Sequence, residues 1–120
     1  YSGVRVSLFI DPVKAQIETS RKIGAEFIEL HTGSFANSKT ESEMEAELER
    51  LKASAQFASK AGLRVNAGHG ITYLNVQRIV EIPEIEELNI GHSIISRAVL
   101  VGLDRAVREM LDLMRAGQKR

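Results

Sequence analysis

Leu63-Arg64-Val65-Asn66-Ala67-Gly68-His69-Gly70 is a strand-like run that stops abruptly. Leu63 and Val65 alternate with Arg64 and Asn66, the period-two signature of an extended segment with one apolar face. Glycine then brackets a histidine. The pattern recurs in Glu87-Leu88-Asn89-Ile90-Gly91-His92 and, with the order reversed, in Phe27-Ile28-Glu29-Leu30-His31-Thr32-Gly33. His31, His69 and His92 are the three histidines of the chain, and each falls where a strand gives way to a loop. Glycine at such a place lets the backbone approach a ligand or take a positive φ without a Cβ clash. Imidazole there can move a proton near neutral pH. Successive strand ends of this kind point to a ligand-facing edge rather than to packing alone.

Outward from these runs, strand and helix signals alternate. Val4-Arg5-Val6-Ser7-Leu8-Phe9-Ile10 predicts a first strand with Val4, Val6, Leu8 and Ile10 on one face. Asp11-Pro12 then supplies an N-cap and a first-turn proline for a helix burying Val13, Ile17 and Ile23. The second strand is Glu26 to Leu30, followed by a polar loop from Thr32 to Lys39. Thr40-Glu41-Ser42-Glu43 is a capping box for a long helix with the apolar stripe Met44, Leu48, Leu51 and Ala55. After Gly70, Thr72 caps a short helix that Pro83 closes, and the fourth strand is expected over Glu87 to Ile90. A short helix from Ser93 to Val101 and a last one from Asp104 complete the order.

Four βα units in succession imply a parallel sheet with right-handed crossovers. The faces bearing Val4, Val6, Leu8, Ile10, Ile28, Leu30, Leu63, Val65, Leu88 and Ile90 are apolar and should lie under the helices. The opposite faces carry Arg5, Ser7, Glu29, Arg64, Asn66, Glu87 and Asn89. A doubly wound sheet wants apolar strands on both sides, whereas a barrel interior tolerates polar residues that pair. The expectation is therefore an α/β chain of one domain, residues 1–120, forming a (β/α)4 half of an eight-stranded TIM barrel. The alternative is a four-stranded α/β sandwich whose second face is wetted by solvent.

Composition narrows the function classes. Lys and Arg together number 16, as do Asp and Glu, so no overall basic field attracts nucleic acid or an anionic membrane. Aromatic residues are 5% of the chain, which further weakens any base-stacking surface. There is no cysteine for disulfides or thiolate chemistry. No apolar run approaches the roughly 20 residues needed to span a bilayer. A soluble cytoplasmic protein is expected. Tyr1-Ser2-Gly3 leads almost at once into a strand without an initiator methionine, so the chain is expected to begin inside a larger protein.

In α/β proteins ligands bind at the carboxyl ends of strands, and barrel phosphate sites often use the last βα loops and a short extra helix. Gly70, Gly91 and His92 stand at two of these ends. The helix after His92 would offer free N–H groups and a partial positive charge to a phosphate, with no metal required. His69 and His92 are candidates for touching a ligand. His31 alone is equally well a hydrogen-bonding or surface residue. Glu29 could neutralise Arg5 or Arg64, or stabilise a cationic intermediate. No H-x-H or H-E-x-x-H spacing supports a metal site. The geometric requirement is that His69, His92 and Glu29 share one mouth.

The three ordered motifs, together with Val6-Ser7-Leu8-Phe9-Ile10-Asp11 and Ser96-Arg97-Ala98, resemble the pyridoxine 5′-phosphate synthases. The likeness covers nearly the whole chain but only the C-terminal half of that family, strands five to eight of its (β/α)8 barrel. The resemblance implies vitamin B6 biosynthesis: condensation of 1-deoxy-D-xylulose 5-phosphate with 3-amino-2-oxopropyl phosphate, releasing phosphate and water. By motif, His69 matches the family's proton donor and Glu29 its transition-state stabiliser. Gly70, Gly91 and His92 match contacts to the amino-ketone substrate. No cofactor is implied, and His31 receives no role. Two further acid/base groups and most pentulose phosphate contacts lie in the family's other half, so the isolated chain is expected to be inactive. The implied partners are phosphorylated small molecules, the N-terminal half of the barrel and further copies in a homo-oligomer. A non-catalytic phosphate-binding half-barrel and a self-associating fragment are the competing readings.

Overall fold

The architecture follows from strands that are apolar on one side and polar on the other. The computed structural model describes residues 2–119. Its elements run β1 (Ser7–Ile10), α1 (Lys14–Lys22), β2 (Phe27–His31), α2 (Gly33–Ala36), α3 (Glu41–Lys60), β3 (Arg64–Gly68), α4 (Val76–Ile79), β4 (Ile85–Asn89), α5 (His92–Val101) and α6 (Leu103–Gln118). The four strands form one sheet in the order β1-β2-β3-β4, every pairing parallel. The chain is an α/β protein with a four-stranded parallel sheet, as its alternating pattern predicts.

Register sorts the two faces. Leu8, Ile28, Val65 and Ile85 align across the strands, as do Ile10, Leu30, Ala67 and Leu88. Ile28, Leu30 and Val65 of these rows join Ile17 of α1, Leu48, Leu51 and Ala55 of α3, Ile79 of α4 and Met110 of α6 in one core, with Ile10, Ile85 and Leu88 packed against it. The intervening row is Phe9, Glu29, Asn66 and Glu87. Thus the apolar face packs under helices while the other carries carboxylates and amides.

Several expectations are corrected. The first strand begins at Ser7 rather than Val4, and Val4 and Val6 are 68% and 50% exposed. As an edge strand, β1 has one neighbour among the described residues. Val13 and Ile23 are likewise exposed: they are the N-cap and C-cap residues of α1, outside the turns that bury Ile17. The expected polar loop after Thr32 contains the single-turn α2, which buries Phe35. Asn75, not Thr72, stands at the N-cap position of α4, without a side-chain capping bond. The fourth strand spans Ile85–Asn89, shifted by a bulge opposite Val65 and Asn66 that sets Glu86 out of the ladder. Helix α5 starts one residue early, so that His92 is its first residue behind Gly91. Among the described residues no helix is long and apolar enough to cross a membrane.

Candidate active site

Parallel strands deliver all three histidines to the same end of the sheet. Glu29 and His31 stand near the end of β2, His69 follows β3, and His92 opens α5 just after β4. Glu29, His69, Gly70, Gly91 and His92 line one cleft of about 560 Å³. The structure therefore brings together the five residues singled out in the sequence, around a volume suited to a small ligand.

Glu29 is held by its neighbours on the polar face. Its Oε2 accepts a hydrogen bond from the Asn89 side-chain amide at 2.9 Å. Its other oxygen lies over Gly68, where an added Cβ would come within 2.1 Å of it. The two arginines expected as alternative partners of Glu29 are engaged elsewhere. Arg64 pairs with the bulged Glu86, its Nε 2.9 Å from Oε2, and stacks on Phe27. Arg5 faces Glu26 at 3.9 Å. The Arg64 contact holds the Glu86 carboxyl below its ordinary range. Glu29 thus lines the cleft with Asn89, not an arginine, as its side-chain partner.

His69 turns the chain at the mouth. Its φ of 78° lies in the left-handed region, and Gly70 follows at 76°; residues with a Cβ seldom adopt that conformation. Thr32, fully buried, secures the turn. Its hydroxyl lies 2.7 Å from the Gly68 carbonyl oxygen and 2.5 Å from that of His69, and its N–H donates to Gly68 at 2.9 Å. The His69 ring stacks on His31, with centroids 4.6 Å apart and planes at 22°.

The third wall is the start of α5. Gly91, His92 and Ser93 line the cleft, and the first turn carries no acidic residue. The positive end of the helix dipole therefore faces ligand space, a setting that favours phosphate or another anion. Ser93 donates to the Ile71 carbonyl at 2.8 Å and ties this helix to the loop after β3. Asn75 fixes the same loop from the other side through the Gly70 carbonyl and the Thr72 N–H. Among the described residues no group of His, Cys, Asp or Glu side chains is arranged to hold a metal ion.

Sequence reasoning placed Asn89 on the polar face but not against Glu29, and it gave Thr32 no role. The first contact depends on strands 60 residues apart and the second on a register between β2 and β3. Shared face parity was the available signal for Asn89. For Thr32 the only hint was its place between His31 and Gly33.

A parallel α/β sheet with a carboxylate, two imidazoles and a helix N-terminus around one cleft at its carboxyl edge has the arrangement in which α/β proteins bind small ligands. The sequence model of the family described as "Pyridoxal phosphate biosynthesis protein PdxJ" matches residues 1–116. This chain belongs to that family. Among its relatives, the pyridoxine 5′-phosphate synthase of Synechococcus sp. (strain JA-2-3B'a(2-13)) is 58% identical over 113 residues. Those of Citrifermentans bemidjiense and Geobacter sulfurreducens are 57% and 53% identical over the same length. Each alignment covers 94% of this chain and 47% of the relative, so the chain spans about half the length of the curated relatives it matches.

Proposed function

We propose that this chain is the C-terminal half, strands five to eight, of a (β/α)8-barrel pyridoxine 5′-phosphate synthase. In this reading it condenses 1-deoxy-D-xylulose 5-phosphate with 3-amino-2-oxopropyl phosphate once its other half completes the site. The observation that carries the reading is the common cleft of Glu29, His69 and His92 beside the α5 N-terminus. His69 is the proton donor for departing hydroxyl or phosphate groups. Glu29, anchored by Asn89, stabilises the iminium charge that develops as amine and ketone condense. Gly70, Gly91 and His92 hold the amino-ketone substrate, its phosphate at the helix terminus. The enzyme is cytoplasmic, homo-oligomeric and free of cofactors.

Complementation tests the reading. The purified chain alone should give no turnover, and adding the missing half should produce pyridoxine 5′-phosphate. In the complemented enzyme His69→Asn should lower kcat by about 10²–10⁴-fold, and Glu29→Gln by about 10²–10³-fold. Phosphate binding by the complemented protein without any turnover would instead favour a non-catalytic half-barrel.

A further inference from the structure

We propose that His31 is a positioning residue for His69, and that Thr32 completes the device; the catalytic part of this inference rests on His69 being the proton donor. His31 stands against the His69 ring, 4.6 Å away between centroids and tilted by 22°. Phe9 packs on the His31 ring in turn, 5.1 Å away at 57°. The His31 Nδ1 accepts the Gly33 N–H at 3.3 Å, which sets the rotation of the ring. The ring is thus fixed by a hydrogen bond and backed by an aromatic before it meets His69.

The next residue holds the backbone. Thr32 offers its single hydroxyl hydrogen to the carbonyls of Gly68 and His69. Consecutive residues of one strand end therefore fix the ring and the main chain of the histidine on the next. His69 needs both restraints. It is exposed, and its left-handed φ of 78° is one that a residue with a Cβ readily leaves. An acid works only within hydrogen-bond reach of the atom it protonates, and a misplacement of about 1 Å can cost about 100-fold in rate.

Nuclear magnetic resonance on the 120-residue chain and kinetics on the complemented enzyme test this together. His31→Ala should abolish the ring-current shift of the His69 imidazole protons and lower kcat about 100-fold with KM little changed. His31→Phe, which keeps a stacking ring, should restore most of both. His31→Asn, which keeps an acceptor for Gly33 but no ring, should restore neither. Thr32→Val should shift the His69 backbone resonances and lower kcat in the same sense. Unchanged His69 resonances and kcat in a folded His31→Ala chain would overturn the proposal, as would full rescue by His31→Asn. Should His69→Ala itself leave turnover intact, the donor reading fails, and the His69 resonances of the isolated chain still decide whether His31 positions that ring.

Discussion

Gly68 and Gly70 flank His69 for different physical reasons, and their substitutions should separate accordingly. At Gly68 an added methyl meets the Glu29 carboxylate at 2.1 Å. That group is the flexible end of a side chain and can swing away. The Asn89 backbone carbonyl of the paired strand would lie 3.1 Å from the same methyl and must yield slightly, so Gly68→Ala should cost about 1 kcal/mol, release the Asn89 amide from Glu29 and remove turnover in the complemented enzyme. The Asn89 side-chain resonances report the release. At Gly70 the backbone has a φ of +76° and an added Cβ would lie 2.6 Å from that of Ala36. Neither can relax cheaply, so Gly70→Ala should destabilise the chain by about 1–3 kcal/mol, read from urea denaturation midpoints. These positions were legible because period-two alternation assigns a face to each strand residue and glycine marks its end. His31 packing on His69 was not legible, since it depends on how two strands register in space.

Legibility at the level of elements follows length and capping. Helix α3 was readable from its stripe and from Thr40, whose hydroxyl accepts the Glu43 N–H at 3.1 Å. The Glu43 carboxylate reaches back to the Lys39 N–H at 2.8 Å. Thr40→Ala should cost about 1 kcal/mol, measured by thermal or chemical denaturation. Helix α2 was not readable, because one turn has no periodicity to detect. The α5–α6 pair supplies a pH-dependent tie. Glu109 on α6 accepts from Arg97 of α5 and from Arg105 at 2.9 and 2.8 Å, and these bonds pull its carboxyl down to about 2. A depressed carboxyl binds protons less readily in the folded chain than in the unfolded one. Its stabilisation is therefore full above the ordinary carboxylate range and fades as the pH falls toward about 2. Stability followed across that acid limb should decline less steeply in Glu109→Gln, and the neutral variant should start lower at pH 7.

For the whole molecule, surface area carries the argument. A compact monomer of 13.3 kDa should expose about 6,450 Å², while this chain exposes 7455 Å². Its radius of gyration of 14.9 Å also exceeds the roughly 13.6 Å expected for its length, and its extents are 44 × 40 × 24 Å. The excess, about 1,000 Å², is close to what one partner contributes to a standard interface. Its character matches that scale. Among the described residues, strands β1 and β4 each have one neighbour in the sheet, the Asn66 side-chain oxygen is buried without a partner, and Val99, Leu100, Leu103 and Val107 are exposed along the apolar stripe of α5 and α6. Unpaired strand edges recruit other strands, and neighbouring exposed apolar side chains favour cover. A closing half-barrel would meet these needs at once: hydrogen bonds for two edges, groups for the polar face and a helix layer for the stripe. On the proposed barrel reading, a chain corresponding to the other half of the relatives should therefore bind in a one-to-one complex and raise the thermal midpoint in a concentration-dependent way. It should also protect the β1 and β4 edge amides from hydrogen exchange, leaving the amides shared by β2 and β3 little changed. Protection confined to α5 and α6 would point to docking through the stripe with the sheet still open, and the barrel reading would fall while the cleft geometry stood.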